Sequence, residues 1–376
     1  MGMRISAPLF AVKLSGTTEF SASVYMDWGV FLWAEASMIP PFPELYYERK
    51  VSLMKKAISL FLAMMLILMS SLALGEGTTY RVAIAQFAQH PSLDNCRTGF
   101  VEGLAEEGFV EGKNLIIDVQ NAQADTGMAA QIAAAFAEGY DLVCPIATPM
   151  AMAAYNACEP KGIPVVYTAV SDPVTAQLAR EDGTNPGQIT GTSDQLPVDA
   201  QLKMIRALMP DAKKVGILYT SSESNSISAL AIYESLAPNY GFEIVSQSVD
   251  TGADIPLALD ALLPKVDLMT NLLDNTVVSY LPVVLEKAQE AGKPVFGSEI
   301  EQVKAGCAAS EGLEYVELGR QTGRMAARVL RGESAQDIPF ETITNASLYV
   351  NREVLAKLNL TLPAELEERA ADVSAN

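Results

Sequence analysis

From Tyr80 onward, short β-branched apolar runs alternate with longer amphipathic stretches that have the helical period. This order predicts parallel strands with helices packed on both faces of the sheet. The first series of predicted strands is 81–85, 114–119, 141–145, 164–167 and 188–190, with helices at 93–107, 128–138 and 150–157. We therefore predict a doubly wound α/β lobe.

A second series of the same order follows the turn at Asn185-Pro186-Gly187. Its predicted strands are 214–219, 243–247, 268–271, 294–296 and 306–310, and its predicted helices are 199–209, 226–236, 255–263, 276–291 and 299–305. A long helix at 314–330, a strand at 346–350 and a terminal helix complete the chain. The predicted fold class is α/β, with two doubly wound parallel-sheet lobes and a hinged cleft between them.

The predicted lobes exchange chain more than once. We assign residues 78–193 plus 310–332 to lobe 1 and residues 194–309 plus 336–376 to lobe 2.

Upstream of the lobes, residues 54–75 have the pattern of a secretion signal. Lys55 and Lys56 precede an apolar run that ends in Ala73-Leu74-Gly75, small residues of the kind a signal peptidase reads. We predict cleavage near Gly75 and an extracytoplasmic protein, in the periplasm or at the cell surface. The alternative is a retained anchor, because the apolar run is near the lower limit of about 17 residues for a membrane span.

A secretion signal that starts at Met54 leaves residues 1–53 without a role. We predict that translation begins at Met54 and that residues 1–53 are an extension outside the protein proper. A small additional domain is the alternative, although the segment shows no sustained hydrophobic period.

Charge and cysteine content narrow the possible partners. Removing residues 1–75 takes away six basic and five acidic residues of the 26 and 45 in the chain, which leaves a net charge of −20. Such a surface repels nucleic acid. A chain with four cysteines, no Cys-x-x-Cys and one histidine lacks the ligands for a zinc site. Cys144 and Cys158 could form a disulfide, or all four cysteines could be buried thiols.

Polar residues follow the predicted strands at the ends that face a ligand crevice in this kind of sheet. The candidate ligand-binding residues are Gln86, His90, Thr148, Ser171, Asp172, Asp194, Asn225, Asp274, Asn275 and Glu299. They combine N–H or hydroxyl donors for a carboxylate with acids for an ammonium group, as a zwitterionic amino acid requires. Asp274 is our first candidate for the ammonium, with Asp194 or Glu299 as alternatives.

Several of these residues also have simpler roles open to them. His90 could be a helix-start residue bonded to the backbone, Thr148 a helix cap, and Asp172, before Pro173, a turn former.

Taken together, the loop motifs resemble the ABC-transporter substrate-binding family often labelled tryptophan/tyrosine-binding, over residues 78–370. The matching segments are Gln86 with His90-Pro91-Ser92-Leu93-Asp94, Asn121-Ala122-Gln123 with Asp125, Ala147-Thr148-Pro149-Met150-Ala151, Ala169-Val170-Ser171-Asp172-Pro173-Val174, Gly191-Thr192-Ser193-Asp194, Asn225-Ser226, Asp274-Asn275 and Leu318-Gly319-Arg320. The resemblance implies a type I periplasmic binding protein fold. It also implies an amino acid or analogue as ligand, bound by a monomer and delivered to an ABC permease with a cytoplasmic ATPase.

An aromatic ligand would need a stacking partner, for which the candidates are Phe87, Tyr167, Tyr219 and Tyr280. The sequence contains no Gly-x-Ser-x-Gly elbow, phosphate loop or dinucleotide fingerprint, so we expect neither an enzyme nor a bound cofactor. A ligand-sensing ectodomain that signals through a membrane receptor is the alternative function, because it would have the same fold and cleft.

Overall fold

The computed structural model describes residues 54–56, 58–60, 64, 78–343 and 346–374. The chain divides into two units, residues 1–75 and 76–376. In the first unit, the described residues are helical and exposed. No helix among the described residues is both long and apolar enough to cross a bilayer. Residues 1–53 and most of the predicted secretion signal lie outside the described part.

The second unit begins with the first lobe. Its elements are β1 (Tyr80–Gln86), α1 (Pro91–Glu106), β2 (Leu115–Asn121), α2 (Thr126–Phe136), β3 (Leu142–Ile146), α3 (Thr148–Cys158), β4 (Val165–Tyr167) and β5 (Ile189–Ser193). These strands pair in parallel in the order β5-β4-β3-β1-β2. The order reverses direction between β1 and β3, where doubly wound sheets open a ligand crevice.

The second lobe repeats this order. Its elements are α4 (Val198–Leu208), β6 (Lys214–Thr220), α5 (Ser224–Leu236), β7 (Glu243–Val249), α6 (Ile255–Leu262), β8 (Leu268–Thr270), α7 (Asn275–Ser279), α8 (Leu281–Glu290), β9 (Val295–Phe296), α9 (Ile300–Ala305) and β10 (Ala309–Gly312). Strands β7-β6-β8-β9 form a parallel sheet. The two-lobed α/β fold predicted from the sequence is confirmed.

The last part of the chain returns to both lobes. Its elements are α10 (Tyr315–Leu330), β11 (Glu341–Thr342), β12 (Ser347–Val350), α11 (Arg352–Lys357), α12 (Ala364–Glu367) and β13 (Ala370–Asp372). Helix α10 packs on α1, and β11 extends the first sheet beside β5. Strand β12 pairs with β10 in antiparallel fashion and with β13 in parallel. The chain thus leaves the first lobe after β5, returns to it after β10 and leaves it again after β11. The return and the second departure come later in the sequence than residues 310 and 332, where they were predicted.

Two predicted helices differ from the structure. The predicted helix 276–291 is two helices, α7 and α8, separated at Tyr280, whose φ of −106° and ψ of 17° are not helical. Pro282 at the start of α8 has no N–H to continue the helix from α7. The predicted terminal helix is α11, α12 and strand β13, because Asn359 with φ of 55° turns the chain just after α11.

Helices α1 and α10 cross with their backbones in direct contact. A Cβ atom on Gly99 would lie 1.9 Å from the carbonyl oxygen of Val316, and one on Gly319 would lie 2.1 Å from that of Cys96. Gly103 and Gly323 make equally close approaches one turn along. These glycines allow α10 to lie against α1, and they thereby fix the position of Tyr315 at the start of α10.

Candidate functional site

His90 lies between β1 and α1, at the carboxyl end of the first strand. Gln86, the last residue of β1, closes this loop, since its Nε2 donates to Ala88 O at 2.8 Å and to Asp94 Oδ1 at 3.0 Å. Arg97 Nη1 donates to Gln86 Oε1 at 3.0 Å. These bonds give His90 a defined position.

The His90 imidazole is only 8 % exposed, and neither ring nitrogen forms a hydrogen bond to the described residues. Burial lowers its pKa to about 4, against the opposing effects of Asn275 and Asp94 nearby. The ring is therefore neutral at pH 7. It can offer one donor and one acceptor to a ligand.

Asp194 follows β5, where the chain first passes between the lobes, and it is 2 % exposed. Its Oδ2 accepts a hydrogen bond from the Tyr315 hydroxyl at 2.7 Å. Its Oδ1 is buried and has no partner among the described residues. Burial raises the pKa of Asp194, while the hydroxyls of Tyr315 and Ser171 act to lower it. Asp194 therefore presents one unpaired carboxyl oxygen.

Two asparagines approach from the second lobe. Asn225 lies at the start of α5, and its Nδ2 donates to Leu273 O at 3.0 Å, while its Oδ1 is buried with no partner among the described residues. Asn275 begins α7, and its Nδ2 donates to the carboxylate of Glu223 at 2.6 Å. Both amides are thus held by the second lobe.

These groups meet in one space, which we call the interlobe cleft. It is lined by His90, Ser92, Leu93, Ala169, Ser171, Asp194, Asn225, Leu273, Asn275, Val278, Gln302 and Tyr315. The space between these residues is about 320 Å³, and this volume includes a part that is open to solvent. The lining contains one acid and neither lysine nor arginine, so the interlobe cleft favours a ligand with a positively charged group.

One residue of the lining has a strained backbone. Ala169 follows β4 with φ of 56°, a conformation that residues with a Cβ rarely adopt. Ala147, after β3, has φ of 80°. Strain of this kind concentrates where a loop must take a particular shape for binding.

The two lobes contact each other directly beside the interlobe cleft. Ser228 Oγ in α5 donates to Asp172 Oδ2 at 2.5 Å, and Asn95 Nδ2 in α1 donates to Glu301 Oε1 at 3.1 Å. Burial acts to raise the pKa of Asp172, but hydrogen bonds from Ser228 and Thr175 hold it below its ordinary value. Asp172 therefore joins the lobes instead of lining the space between them.

Gln86 and Thr148 were predicted to bind ligand, and neither lines the interlobe cleft. Gln86 is fully buried and its amide is used in closing the His90 loop. Thr148 begins α3, and its hydroxyl is buried without a hydrogen-bond partner among the described residues.

Asp274 and Glu299 are also buried outside the lining of the interlobe cleft. The Asp274 carboxylate accepts from Thr220 N, Thr220 Oγ1, Ser226 Oγ and Val277 N at 2.6–2.8 Å, so both of its oxygens are occupied. Glu299 caps α9 by accepting from Glu301 N and Gln302 N. Of the acids predicted as ammonium partners, only Asp194 is in the lining.

Other residues of the lining were not predicted to bind ligand, namely Ser92, Leu93, Ala169, Leu273, Val278, Gln302 and Tyr315. Ser92, Ala169 and Leu273 lie within or beside the strand-end loops, so their loop positions could have indicated them. Tyr315 is the only Phe, Tyr or Trp side chain of the lining. None of the predicted stacking candidates is there: Phe87 and Tyr167 are buried in the first core, and Tyr219 and Tyr280 lie elsewhere in the second lobe.

No group of three or more His, Cys, Asp or Glu side chains in the described ranges is placed to hold a metal ion. Cys96, Cys144, Cys158 and Cys307 are free thiols, and all are buried. Burial raises the pKa of Cys158 to about 11, so its thiol stays protonated near neutral pH.

The buried carboxyl groups make the stability of the ligand-free protein depend on pH. Burial raises the pKa of Glu299 to about 7, and burial together with the Asp274 carboxylate does the same for Glu223. Since unfolding returns both to about 4.5, the folded state binds more protons between these values, and stability falls as pH rises. His90 has the opposite effect: its pKa is lowered from 6.5 to about 4, so its contribution to stability increases as the pH rises from about 4 to 6.5.

We therefore expect a higher melting temperature at about pH 6 than at about pH 8, measured by scanning calorimetry. Glu299→Gln should reduce this difference, because it removes one of the buried carboxyls whose pKa is raised. A melting temperature that rises from pH 6 to pH 8 would contradict the assignment.

Comparison with known proteins identifies the family. The profile of the family described as ABC transporter substrate binding protein matches residues 81–374. A tyrosine-binding protein of Clostridioides difficile is 37 % identical over 280 residues, which are 74 % of this chain and 81 % of that protein. A structure from Streptococcus pneumoniae in complex with L-Trp is 31 % identical with a TM-score of 0.76, covering 78 % of this chain and 99 % of that one.

A ligand-free, open structure of a Clostridium difficile substrate-binding protein with adhesive properties is 36 % identical. Its TM-score is 0.61, over 79 % of this chain and 100 % of that one. The family match spans both lobes and the interlobe cleft. The chain is a member of the ABC transporter substrate-binding protein family.

Proposed function

We propose that the interlobe cleft binds one free amino acid with an aromatic side chain and that the protein delivers it to an ABC importer. The observation that carries this proposal is the set of unpaired polar atoms in the lining. Asp194 Oδ1 and Asn225 Oδ1 are buried acceptors without partners among the described residues. Unpaired buried acceptors destabilise a protein unless a ligand supplies donors, and an ammonium group supplies three.

The carboxylate of an amino acid can bind at the start of α1. Ser92 and Leu93 lie in the first turn of α1 and line the interlobe cleft. Backbone N–H groups in the first turn of a helix have no partner within the helix, and they favour a carboxylate. The ligand carboxylate is thereby bound without a lysine or arginine.

The remaining lining suits an aromatic side chain. Leu93, Leu273 and Val278 provide apolar surface, and Tyr315 provides a ring. The relatives support the same class, since one is named for tyrosine and another was solved with L-Trp.

The proposed mechanism is closure of the lobes around the ligand. This chain resembles the L-Trp complex more closely in structure than the ligand-free open structure, although the open one is closer in sequence, 36 % against 31 % identical. The contacts Asp172–Ser228 and Asn95–Glu301 hold the lobes together in this closed arrangement. A permease that contacts both lobes can then distinguish loaded from empty protein.

Small-angle X-ray scattering tests this mechanism. The radius of gyration of ligand-stripped protein should decrease when L-tyrosine or L-tryptophan is added at saturation. A control with D-glucose should leave the radius unchanged. Equal radii with and without a bound amino acid would contradict closure.

Delivery to an importer requires that the protein is exported. We propose that residues 54–75 direct export and are removed, on the basis of their basic start, apolar run and small-residue end. Mapping the N-terminus of the native protein by mass spectrometry tests this, and peptides from before Met54 would contradict it. The ligand-sensing alternative predicts co-purification with a receptor instead of a permease.

A further inference from the structure

Glu223 lies in the loop between β6 and α5, outside the lining of the interlobe cleft and only 2 % exposed. Its carboxylate accepts hydrogen bonds from two side-chain amides, Asn225 Nδ2 at 3.1 Å and Asn275 Nδ2 at 2.6 Å. It also accepts from Asn275 N at 3.0 Å and from Thr276 N and Oγ1 at 3.1 Å. One buried carboxyl group outside the lining is therefore hydrogen-bonded to both asparagines of the lining.

The chemistry of a carboxylate fixes which way these amides face. Glu223 Oε2 is the acceptor for the Nδ2 atoms of both asparagines, so each asparagine turns its NH₂ group toward Glu223, whether or not the other oxygen, Oε1, carries a proton. The carbonyl oxygen of a planar amide then points away from Glu223. Asn225 Oδ1 is buried without a partner among the described residues, and the Asn275 side chain lies against the His90 ring.

From this arrangement we infer that Glu223 is a positioning residue, which orients the Asn225 carbonyl oxygen so that, with Asp194 Oδ1, it forms an acceptor surface for a ligand ammonium group. The same carboxyl turns the Asn275 carbonyl oxygen toward the His90 ring. This inference rests on the proposed function and adds to it. It assigns the ammonium group to the side of the interlobe cleft where the two asparagines and Asp194 lie, and the carboxylate to the start of α1.

The position of Glu223 is unfavourable for folding, which indicates a role beyond stability. Asp274 is a second buried carboxyl beside it, and neither forms a salt bridge to a Lys or Arg among the described residues. Burial, and then Asp274, raise the pKa of Glu223 to about 7. A neutral glutamine of the same shape would remove this repulsion, but its own NH₂ group would face a backbone N–H donor, that of Thr276 or that of Asn275.

Replacement of Glu223 by glutamine tests whether the residue orients the asparagines or only stabilises the fold. In the wild type each carboxylate oxygen accepts from a backbone N–H, Oε2 from Asn275 N and Oε1 from Thr276 N. Wherever Glu223→Gln places its NH₂ group, that group meets one of these donors, so the side chain must shift and the bonds that orient the asparagine amides are disturbed. We expect the affinity for L-tyrosine or L-tryptophan to fall at least tenfold by isothermal titration calorimetry. The melting temperature at pH 8 should not fall, because the repulsion from Asp274 is lost. A role in stability alone would lower the melting temperature and leave the affinity of the folded fraction unchanged.

A double-mutant cycle with Asn225→Ala tests whether Glu223 acts through the asparagines. Asn225→Ala alone should weaken binding at least fivefold, and Glu223→Gln added to it should have at least a threefold smaller effect than in the wild type. Equal effects in both backgrounds would overturn the inference, as would an affinity of Glu223→Gln within twofold of wild type. If Glu223→Gln does not fold, a loss below twofold in Asn225→Ala overturns it. Wild-type protein that binds no amino acid would instead contradict the proposed function.

Discussion

Asp194→Asn is expected to weaken binding of the amino acid by about 2 to 5 kcal/mol, the loss that follows when one member of a buried charge pair is removed. This corresponds to a factor of roughly 30 to several thousand in the dissociation constant. Asp194 is the only acid of the lining, and its Oδ1 has no partner among the described residues. The substitution keeps the shape of the side chain and the bond from Tyr315, so the loss should come from the missing charge. Isothermal titration calorimetry measures it.

Asp211→Asn is the matched control, since Asp211 is exposed in the second lobe and lies outside the interlobe cleft. It should bind as the wild type does. Asp274→Asn provides a second comparison, because Asp274 was predicted from sequence to bind the ammonium and its oxygens are occupied by Thr220, Ser226 and Val277. If Asp274→Asn removes binding in a protein of unchanged stability while Asp194→Asn does not, the assignment of Asp194 is wrong.

Gly319→Ala is expected to cause a large loss of stability in the first lobe. The new Cβ would lie 2.1 Å from the carbonyl oxygen of Cys96, and backbone cannot move aside as a side chain can. Helices α1 and α10 would have to separate, and overpacking of this kind costs about 3 kcal/mol. In a chain of this size we expect the melting temperature to fall by roughly 5 to 10 °C.

Gly127→Ala makes the same chemical change in the first turn of α2, where the Cβ would meet only the Asp125 side chain at 3.2 Å. Alanine favours the helix more than glycine does, so this control should change the melting temperature by no more than a few degrees. Equal melting temperatures of Gly319→Ala and wild type would show that α1 and α10 are not in backbone contact.

The fold followed from the sequence because strands and helices of a doubly wound sheet have different hydrophobic periods, and each lobe repeats them in the same order. The helix break and the strand that were not predicted depend on single residues or on contacts between residues distant in the sequence. Pro282 and the turn at Tyr280 divide a region whose apolar period is continuous, and β11 is a two-residue strand defined only by its pairing with β5. The break could have been placed at Pro282, but β11 has no local signal.

The site was predicted less completely than the fold. His90, Ser171, Asp194, Asn225 and Asn275 line the interlobe cleft, whereas Gln86, Thr148, Asp172, Asp274 and Glu299 do not. An acid between a strand and a helix has the same sequence pattern whether it caps the helix or faces a ligand. Asp274 and Glu299 cap α7 and α9, and Asp172 contacts the opposite lobe. Tyr315 lies where the chain returns to the first lobe after β10. It was not predicted because the residue that it contacts, Asp194, is 121 positions away in the sequence.

Isothermal titration calorimetry of unfolded and refolded, ligand-free protein tests the central claim most directly. L-Tyrosine, L-tryptophan and N-acetyl-L-tyrosine would be titrated under the same conditions. We predict saturable binding of at least one of the free amino acids with one ligand per chain. N-acetyl-L-tyrosine, which has no ammonium group for Asp194, should bind at least a hundredfold more weakly than L-tyrosine. Binding of none of these ligands, or equal binding of L-tyrosine and its N-acetyl derivative, would contradict the claim that this cleft recognises a free amino acid.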